Sequence, residues 1–360
     1  MTAKSGFAYT SSGIALAASL AAGTALVGSA AHADQVQLLE TGSTLLLPLF
    51  NQWASDYQKA HPDVQIATQG TGSGAGISQA VSGAVQIGAS DAYMSDAQMK
   101  ASPGILNIPL AVSSQMINYN LPGLNDQHLK LSGPVLAAIY AGEVKYWDDP
   151  MIVQLNAGVK LPHNQIVPVH RTDGSGDTFI FTQYLSFSTP EWSKAAGYGL
   201  TVNWPAVQGG VGATGNPGMV SASKSTPYSI AYVGISFKSA TDAAGLGEAV
   251  LQNKDGKFVL PDATTVGAAV AEVAPETPPD ERISLIYAPG GQSYPIINYE
   301  YAIVKTQQRS ATTAKAVMDF LGWSIDPKGG NSPQYMQAVG FVALPGTILT
   351  LSNYQINLMH

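Results

Sequence analysis

The sequence predicts an α/β fold with a largely parallel sheet. Short β-type runs alternate along the chain with helix-type apolar stripes, the pattern of strand–helix units. A strand, a Gly/Ser/Thr turn and a helix start recur in three places. Composition supports a sizeable core: 45% of the 360 residues are hydrophobic, only 11% are charged, and 37 are glycine. Disorder requires the opposite balance of hydrophobicity and charge.

Val36-Gln37-Leu38-Leu39 reads as a strand that runs into Gly42-Ser43-Thr44. Leu45, Leu46, Leu49, Phe50, Trp53 and Tyr57 follow at helical spacing, with Ser43 or Thr44 as the cap and Pro48 tolerated in the first turn. The helix should stop before His61-Pro62. A strand at 64–67 leads into the turn Gly70–Gly76 and a short helix at 77–82. A strand at 85–89 ends at Ser90-Asp91. A helix is expected at 133–140, with turns around Gly142-Glu143 and Trp147-Asp148-Asp149-Pro150. A strand at 166–170 enters Arg171-Thr172-Asp173-Gly174-Ser175-Gly176-Asp177, and 178–185 looks helical. Residues 209–218 read as a glycine-rich loop and 274–280 as an exposed connection. A strand at 296–304 and an amphipathic helix at 312–323 follow.

Residues 1–33 read as a secretory signal peptide rather than as fold. They carry Lys4, an apolar run of small residues from Ile14 to Gly28, and an A-x-A site at Ala31-His32-Ala33. The run is short for a membrane anchor. The mature chain is expected to be soluble. With 17 Lys plus Arg against 24 Asp plus Glu, net charge −7, the chain is not expected to bind nucleic acid, which needs clustered cations. The cysteine count of zero excludes disulfides, thiolate metal sites, a cysteine nucleophile and a lipid attached through cysteine.

The three repeated turns carry the candidate chemistry. Helix N-termini present unpaired N–H groups and a partial positive charge, so they hold anions without formal charge. Ser and Thr hydroxyls add donors, and glycine permits close approach. Ordinary helix capping is the competing explanation for each turn taken singly. Arg171 offers a planar fork for an oxyanion, and Asp173 stands two residues away to hold it. Asp91 is the odd member. A carboxylate repels a fully deprotonated anion but accepts a hydrogen bond from a protonated one; as a cap before Ala92 it would do neither. Enzyme motifs are missing: there is no H-E-x-x-H, no G-x-x-x-x-G-K-[ST], and no G-x-S-x-G around Ser73 or Ser175. His170 beside Arg171 is more simply structural than a general base. No cofactor or metal site is expected.

Taken together, Gly42-Ser43-Thr44-Leu45, Gly72-Ser73-Gly74, Gly88-Ala89-Ser90-Asp91, Trp147-Asp148-Asp149, Arg171-Thr172-Asp173-Gly174-Ser175-Gly176 and Tyr294-Pro295-Ile296 resemble the phosphate-binding proteins of the high-affinity phosphate ABC transporter, the PstS family. The likeness covers nearly all of residues 36–345 and is closest to the mycobacterial branch at 174–179 and 294–301. It implies a two-lobed periplasmic binding protein of type II, each lobe a mixed β-sheet flanked by helices, with the ligand in the interlobe cleft. Lobe one would hold about 34–115 plus 296–360, and lobe two about 116–295.

By position, the resemblance makes Ser43, Thr44, Leu45, Ser73, Asp91, Arg171, Ser175, Gly176 and Asp177 phosphate-binding residues, with Asp173 orienting Arg171. Leu45 replaces the family's usual phenylalanine, which a backbone amide contact would survive. Asp177 stands where many members have threonine. It is expected to touch ligand; capping the helix is the other possibility. The implied function is capture of inorganic phosphate and its delivery to ABC permease subunits in the inner membrane, by a periplasmic monomer that is not a lipoprotein. The alternatives are a secreted phosphatase of related type and a binder of another oxyanion such as sulfate.

Overall fold

The main sheet is mixed, and its parallel strands are confined to its two sides. The computed structural model describes residues 35–360, which form one compact unit. The leader assigned to residues 1–33 lies outside the described residues. The first strands are β1 (Val36–Gly42), β2 (Val64–Gly70), β3 (Ile87–Ser90) and β4 (Ile105–Tyr119). Next come β5 (Lys130–Leu131), β6 (Val167–Arg171), β7 (Val211–Ala213) and β8 (Ser229–Gly234). The last are β9 (Gly247–Glu248), β10 (Val250–Gln252), β11 (Phe258–Val259) and β12 (Ile297–Lys305).

The order across the main sheet is β2-β1-β3-β12-β4-β8-β6-β7, with β9 also on β4. β1 pairs in parallel with β2 and β3, and β6 pairs in parallel with β8 and β7. Between these blocks, β12 and β4 run antiparallel to their neighbours. β4 pairs with β12 from Ile105 to Ser114, then with β8 from Gln115 to Tyr119. One strand thus serves both halves. Every residue of β4 is buried. A strand covered on both faces shows no alternation, so the antiparallel centre carries little signal in the sequence.

The register of β12 on β4 shifts between Glu300 and Tyr301: Glu300 lies opposite Ala111 and Tyr301 opposite Pro109. Leu110 is therefore the extra residue of a bulge. Proline has no N–H to give to a ladder, so a bulge suits Pro109. The Leu110 carbonyl accepts from Asn331 Nδ2 at 2.6 Å.

Helix bounds differ from the sequence pattern at several places. The first helix is Leu47–Ala60, starting after a turn in which Ser43 Oγ accepts from the Leu46 N–H at 3.0 Å. The second is Ser73–Ser82, four residues longer at its start than the expected 77–82. Glycines depress helix propensity but are tolerated at a helix start. The expected loop 209–218 contains β7 and the start of helix Gly215–Ser225. It is another strand–turn–helix unit, disguised by its glycines.

The core of the N-terminal and C-terminal segments is aromatic. Phe320, buried on helix Ala311–Ile325, has ring centroids of Tyr57, Phe50 and Trp323 at 5.1, 6.1 and 6.3 Å. Phe320→Ala should cost about 3–5 kcal/mol, the usual penalty for emptying a buried aromatic site. Urea unfolding of the ligand-stripped protein checks it; a loss below about 1 kcal/mol would mean that the cluster repacks freely.

Candidate functional site

The carboxyl ends of the parallel strands converge from both sides of the sheet. Open α/β sheets bind ligands there, because helix N-termini follow the strand ends. β1 ends at Gly42 and delivers Ser43, Thr44 and Leu45. β2 ends at Gly70 and leads to Ser73, the first residue of its helix. β3 ends at Ser90, next to Asp91. From the other side, β6 ends on Arg171, and Ser175 caps helix Gly176–Ser188, accepting from the Thr178 N–H at 3.2 Å.

These groups touch across the cleft. The Gly74 N–H donates to the Gly174 carbonyl at 2.9 Å. Gly72 has φ +89°, and a Cβ there would lie 2.6 Å from Asp173 Oδ2, so only glycine fits. A Cβ on Gly176 would lie 2.4 Å from Asp91 Oδ2 and 2.6 Å from Ser73 Oγ.

Asp91 is buried and receives two hydroxyls. Ser43 Oγ donates to its Oδ1, and Ser73 Oγ to its Oδ2 at 3.2 Å. It caps no helix: the next helix, Asp96–Ala101, is capped by Ser95. Arg171 is almost fully buried and carries two carboxylates. Its Nε reaches Asp173 Oδ1 at 2.7 Å and its Nη2 bonds Asp173 Oδ2, a bidentate fork. Its Nη1 donates to Asp177 Oδ2 at 2.6 Å.

Asp177 points inward, and its donors come from several elements. Its Oδ2 also accepts from Asn216 Nδ2 at 2.8 Å, and its Oδ1 from Gln115 Nε2 at 3.2 Å. Asn216 in turn donates from Nδ2 to Thr44 Oγ1 at 3.0 Å, and its Oδ1 accepts from the Gly234 N–H at 2.8 Å. Ser43, Thr44, Ser73, Asp91, Arg171, Asp173, Gly176 and Asp177 thus come together in one buried cluster, whereas Leu45 packs against Gly234 and Ser236, and Ser175 serves as the cap of its own helix.

Asn216, Gln115 and Glu300 were not singled out in the sequence. Asn216 is the second residue of the helix in the disguised strand–turn–helix unit at 211–225, which is the signal that could have found it. Gln115 lies in featureless β4. Glu300 lies within a strand otherwise rich in aromatic and aliphatic residues. His170 points the other way, as neighbours on a strand do. Its ring packs 5.2 Å from Trp204 and lines a separate cavity of about 220 Å³.

Electrostatics follow burial. The Asp91 carboxyl is pushed up to about 7, first by burial and then by the charge of Asp177; Glu300, Ser43 and Arg171 oppose the rise. Burial also raises Asp177, against Arg171, Gln115 and Asn216. Burial would raise Asp173 too, but the bonds and charge of Arg171 pull it below the ordinary carboxylate value. Arg171 stays charged: its carboxylates outweigh its burial. The buried cluster therefore sets hydroxyls and one guanidinium beside a carboxyl group that can take or keep a proton near neutrality.

The family model of the PBP superfamily domain matches residues 28–328. The phosphate-binding protein PstS of Methanocaldococcus jannaschii is 38% identical over 337 residues, covering 89% of this chain and 85% of that protein. The chain belongs to the PstS family of phosphate-binding proteins. Another PstS relative, phosphate-binding protein PstS 3 of Mycobacterium leprae, is 31% identical, covering 86% of this chain and 83% of that protein. The fold is that of the type II periplasmic binding proteins. A high-affinity periplasmic phosphate-binding protein bound with phosphate superposes with TM-score 0.69 at 21% identity, covering 90% of this chain and 99% of that one. An ABC-type phosphate transport receptor from Vibrio cholerae superposes with TM-score 0.54 at 16% identity, covering 86% and 100%.

Because Asp91 has a raised value in the folded state, the folded protein holds a proton that the unfolded chain releases between about pH 4 and 7. This group thus costs stability increasingly as pH rises through that window. Asp91→Asn should raise the melting temperature of ligand-stripped protein at pH 8 and leave it nearly unchanged at pH 4. Thermal scans at the two pH values check this, and an equal effect at both would contradict the titration.

Proposed function

We propose that this protein captures inorganic phosphate in the cleft described above and delivers it to the permease subunits of an ABC transporter. The observation that carries the reading is the pairing of Arg171 and helix-start donors with Asp91, a buried carboxyl group raised to about 7. Phosphate carries protons near neutral pH and sulfate does not. A carboxylate acceptor is satisfied by the first and repels the second. The PstS names of relatives at 31–38% identity support the same substrate. The chain is a binding protein rather than a catalyst, as those relatives are. His170, the imaginable base, faces away from the cleft.

In this reading Ser43, Thr44, Leu45, Ser73, Ser175 and Gly176 supply hydroxyl and amide donors, and Arg171 supplies the positive charge and the Nη hydrogens that its aspartates leave free. Asp91 reads the ligand proton. Asp173 orients Arg171. Asp177 shares Arg171 and reaches ligand as part of that pair. The lobes are proposed as about 34–115 plus 296–360, and about 116–295. The change of partner in β4 at Ser114 and Gln115, and the start of β12 at Ile297, support these crossings. Among the described residues no helix is long and apolar enough to cross a membrane. With no cysteine for a lipid, we place the mature protein free in the periplasm as a monomer.

A charged hydrogen bond contributes about 1.5–3 kcal/mol net, and micromolar affinity needs about 8 kcal/mol, so a handful of these contacts suffices. Ligand-stripped protein should bind phosphate at micromolar affinity or tighter and show no competition from sulfate. Titration calorimetry decides: no heat with phosphate, or equal heat with sulfate, would overturn the assignment. Gly176→Ala should weaken phosphate binding at least about tenfold while unfolding normally, because its methyl group would meet Asp91 and Ser73. Unchanged affinity would show that the cleft does not close here.

A further inference from the structure

Glu300 is a second carboxyl group behind Asp91, and its contacts define where a proton must sit. It lies on β12 immediately before the register shift against β4, and it is fully buried. Bulges re-aim side chains next to functional sites. Its Oε1 faces two groups: Asn298 Nδ2 donates to it at 3.1 Å, and Ser113 Oγ lies 2.5 Å away. Its Oε2 is buried with no donor in reach. The same Asn298 Nδ2 also donates to the Asp91 carbonyl at 3.0 Å, so the amide ties the two residues together.

Asn298 Nδ2 holds the Asp91 carbonyl and Glu300 Oε1 at 3.0 and 3.1 Å, which sets the two carboxyl groups close enough for each to shift the other's protonation. Two ionised carboxylates have only acceptors and cannot bond each other. One of the pair must therefore hold a proton. Asp91 accepts hydroxyls on both its oxygens, whereas Glu300 Oε1 acts as the carbonyl-like acceptor and Oε2 lacks a partner. A proton on the Glu300 carboxyl group, given to Asp91, lets the two groups lie together and leaves Asp91 to accept its two hydroxyls.

We propose that Glu300 is a positioning residue that remains uncharged and donates its proton to Asp91, holding Asp91 as the acceptor that reads the ligand proton. The surrounding charges agree. Asp91 is the titratable group that faces Glu300, with Asp177 and Arg171 beyond it; Ser113 and Asn298, on β4 and β12, are neutral. Burial and the Asp91 charge raise Glu300 well above the ordinary glutamate value, while the bond from Glu300 lowers Asp91. Without that donor Asp91 would keep its own proton to higher pH and lose its acceptor role near neutrality.

The inference rests on the phosphate reading for its effect on binding, but not for the position of the proton. Glu300→Gln and Glu300→Leu are compared with the wild-type protein, ligand-stripped and checked for cooperative melting. Inorganic phosphate is titrated at pH values on either side of 7. The ratio of variant to wild-type affinity cancels the titration of phosphate itself. Glu300→Gln keeps a neutral donor and should stay within about threefold of wild type at every pH. Glu300→Leu should lose about tenfold at neutral pH and recover as pH rises and Asp91 ionises. A pH-independent ratio for Glu300→Leu would overturn the proposal, leaving Glu300 a packing residue. Infrared difference spectra provide a readout without ligand. The carbonyl-stretch band of a protonated carboxylic acid should appear at neutral pH in the wild-type-minus-Glu300→Gln difference, and its absence would also overturn the proposal. If wild-type protein binds no phosphate while the band is present, the substrate assignment fails and the proton placement stands.

Discussion

The buried contact between Arg171 and its two aspartates is the constraint on which the rest of the cleft depends. A guanidinium so deeply buried must be paired, because an isolated charge in the interior costs several kcal/mol. Asp173 fills one edge of the fork and Asp177 takes the remaining nitrogen. That arrangement leaves excess negative charge, since Asp91 and Glu300 lie nearby in the same interior. The excess can be relieved by protonation: burial raises Asp91 and Glu300, which have no cation of their own, and raises Asp177 as well despite its bond to Arg171. A site poor in cations and rich in carboxyl groups then favours an anion that brings its own protons. The acidic composition, which by itself argues against an anionic ligand, is in this way compatible with one.

Backbone architecture makes this chemistry possible. Parallel strands on both sides of the sheet end at the same level, so helix starts face each other across the cleft. The antiparallel pair β4 and β12 sits between the blocks and contributes from below: Gln115 to Asp177, Asn298 to the Asp91 carbonyl, Glu300 to the Asp91 side chain. The strands that join the two halves therefore also set the electrostatics of the cleft. Movement of one half against the other would change both together, because the same residues carry the contacts.

Much of this was legible in the sequence. The strand–turn–helix units at Ser43, Ser73 and Ser175 announce themselves through local chemistry: glycine for the turn, a hydroxyl at the helix start, then an apolar stripe. Arg171 and Asp91 stand out because charge is rare in this chain. What was not legible was the antiparallel centre and everything it positions. β4 is buried on both faces and shows no period. The segment around Asn216 reads as loop because its glycines hide a strand and a helix start.

The sequence by itself determined the α/β class, the glycine- and hydroxyl-rich helix starts, the family and the identity of the buried cation, because each of these is written in residues within a few positions of one another. Tertiary structure alone decided which carboxyl groups share a proton, which donors fill Asp177, and that Glu300 belongs to the site. Those outcomes depend on burial and on distances between residues up to 209 apart, such as Asp91 and Glu300. A side chain's protonation is set by what surrounds it in space, and no local pattern in the chain encodes that.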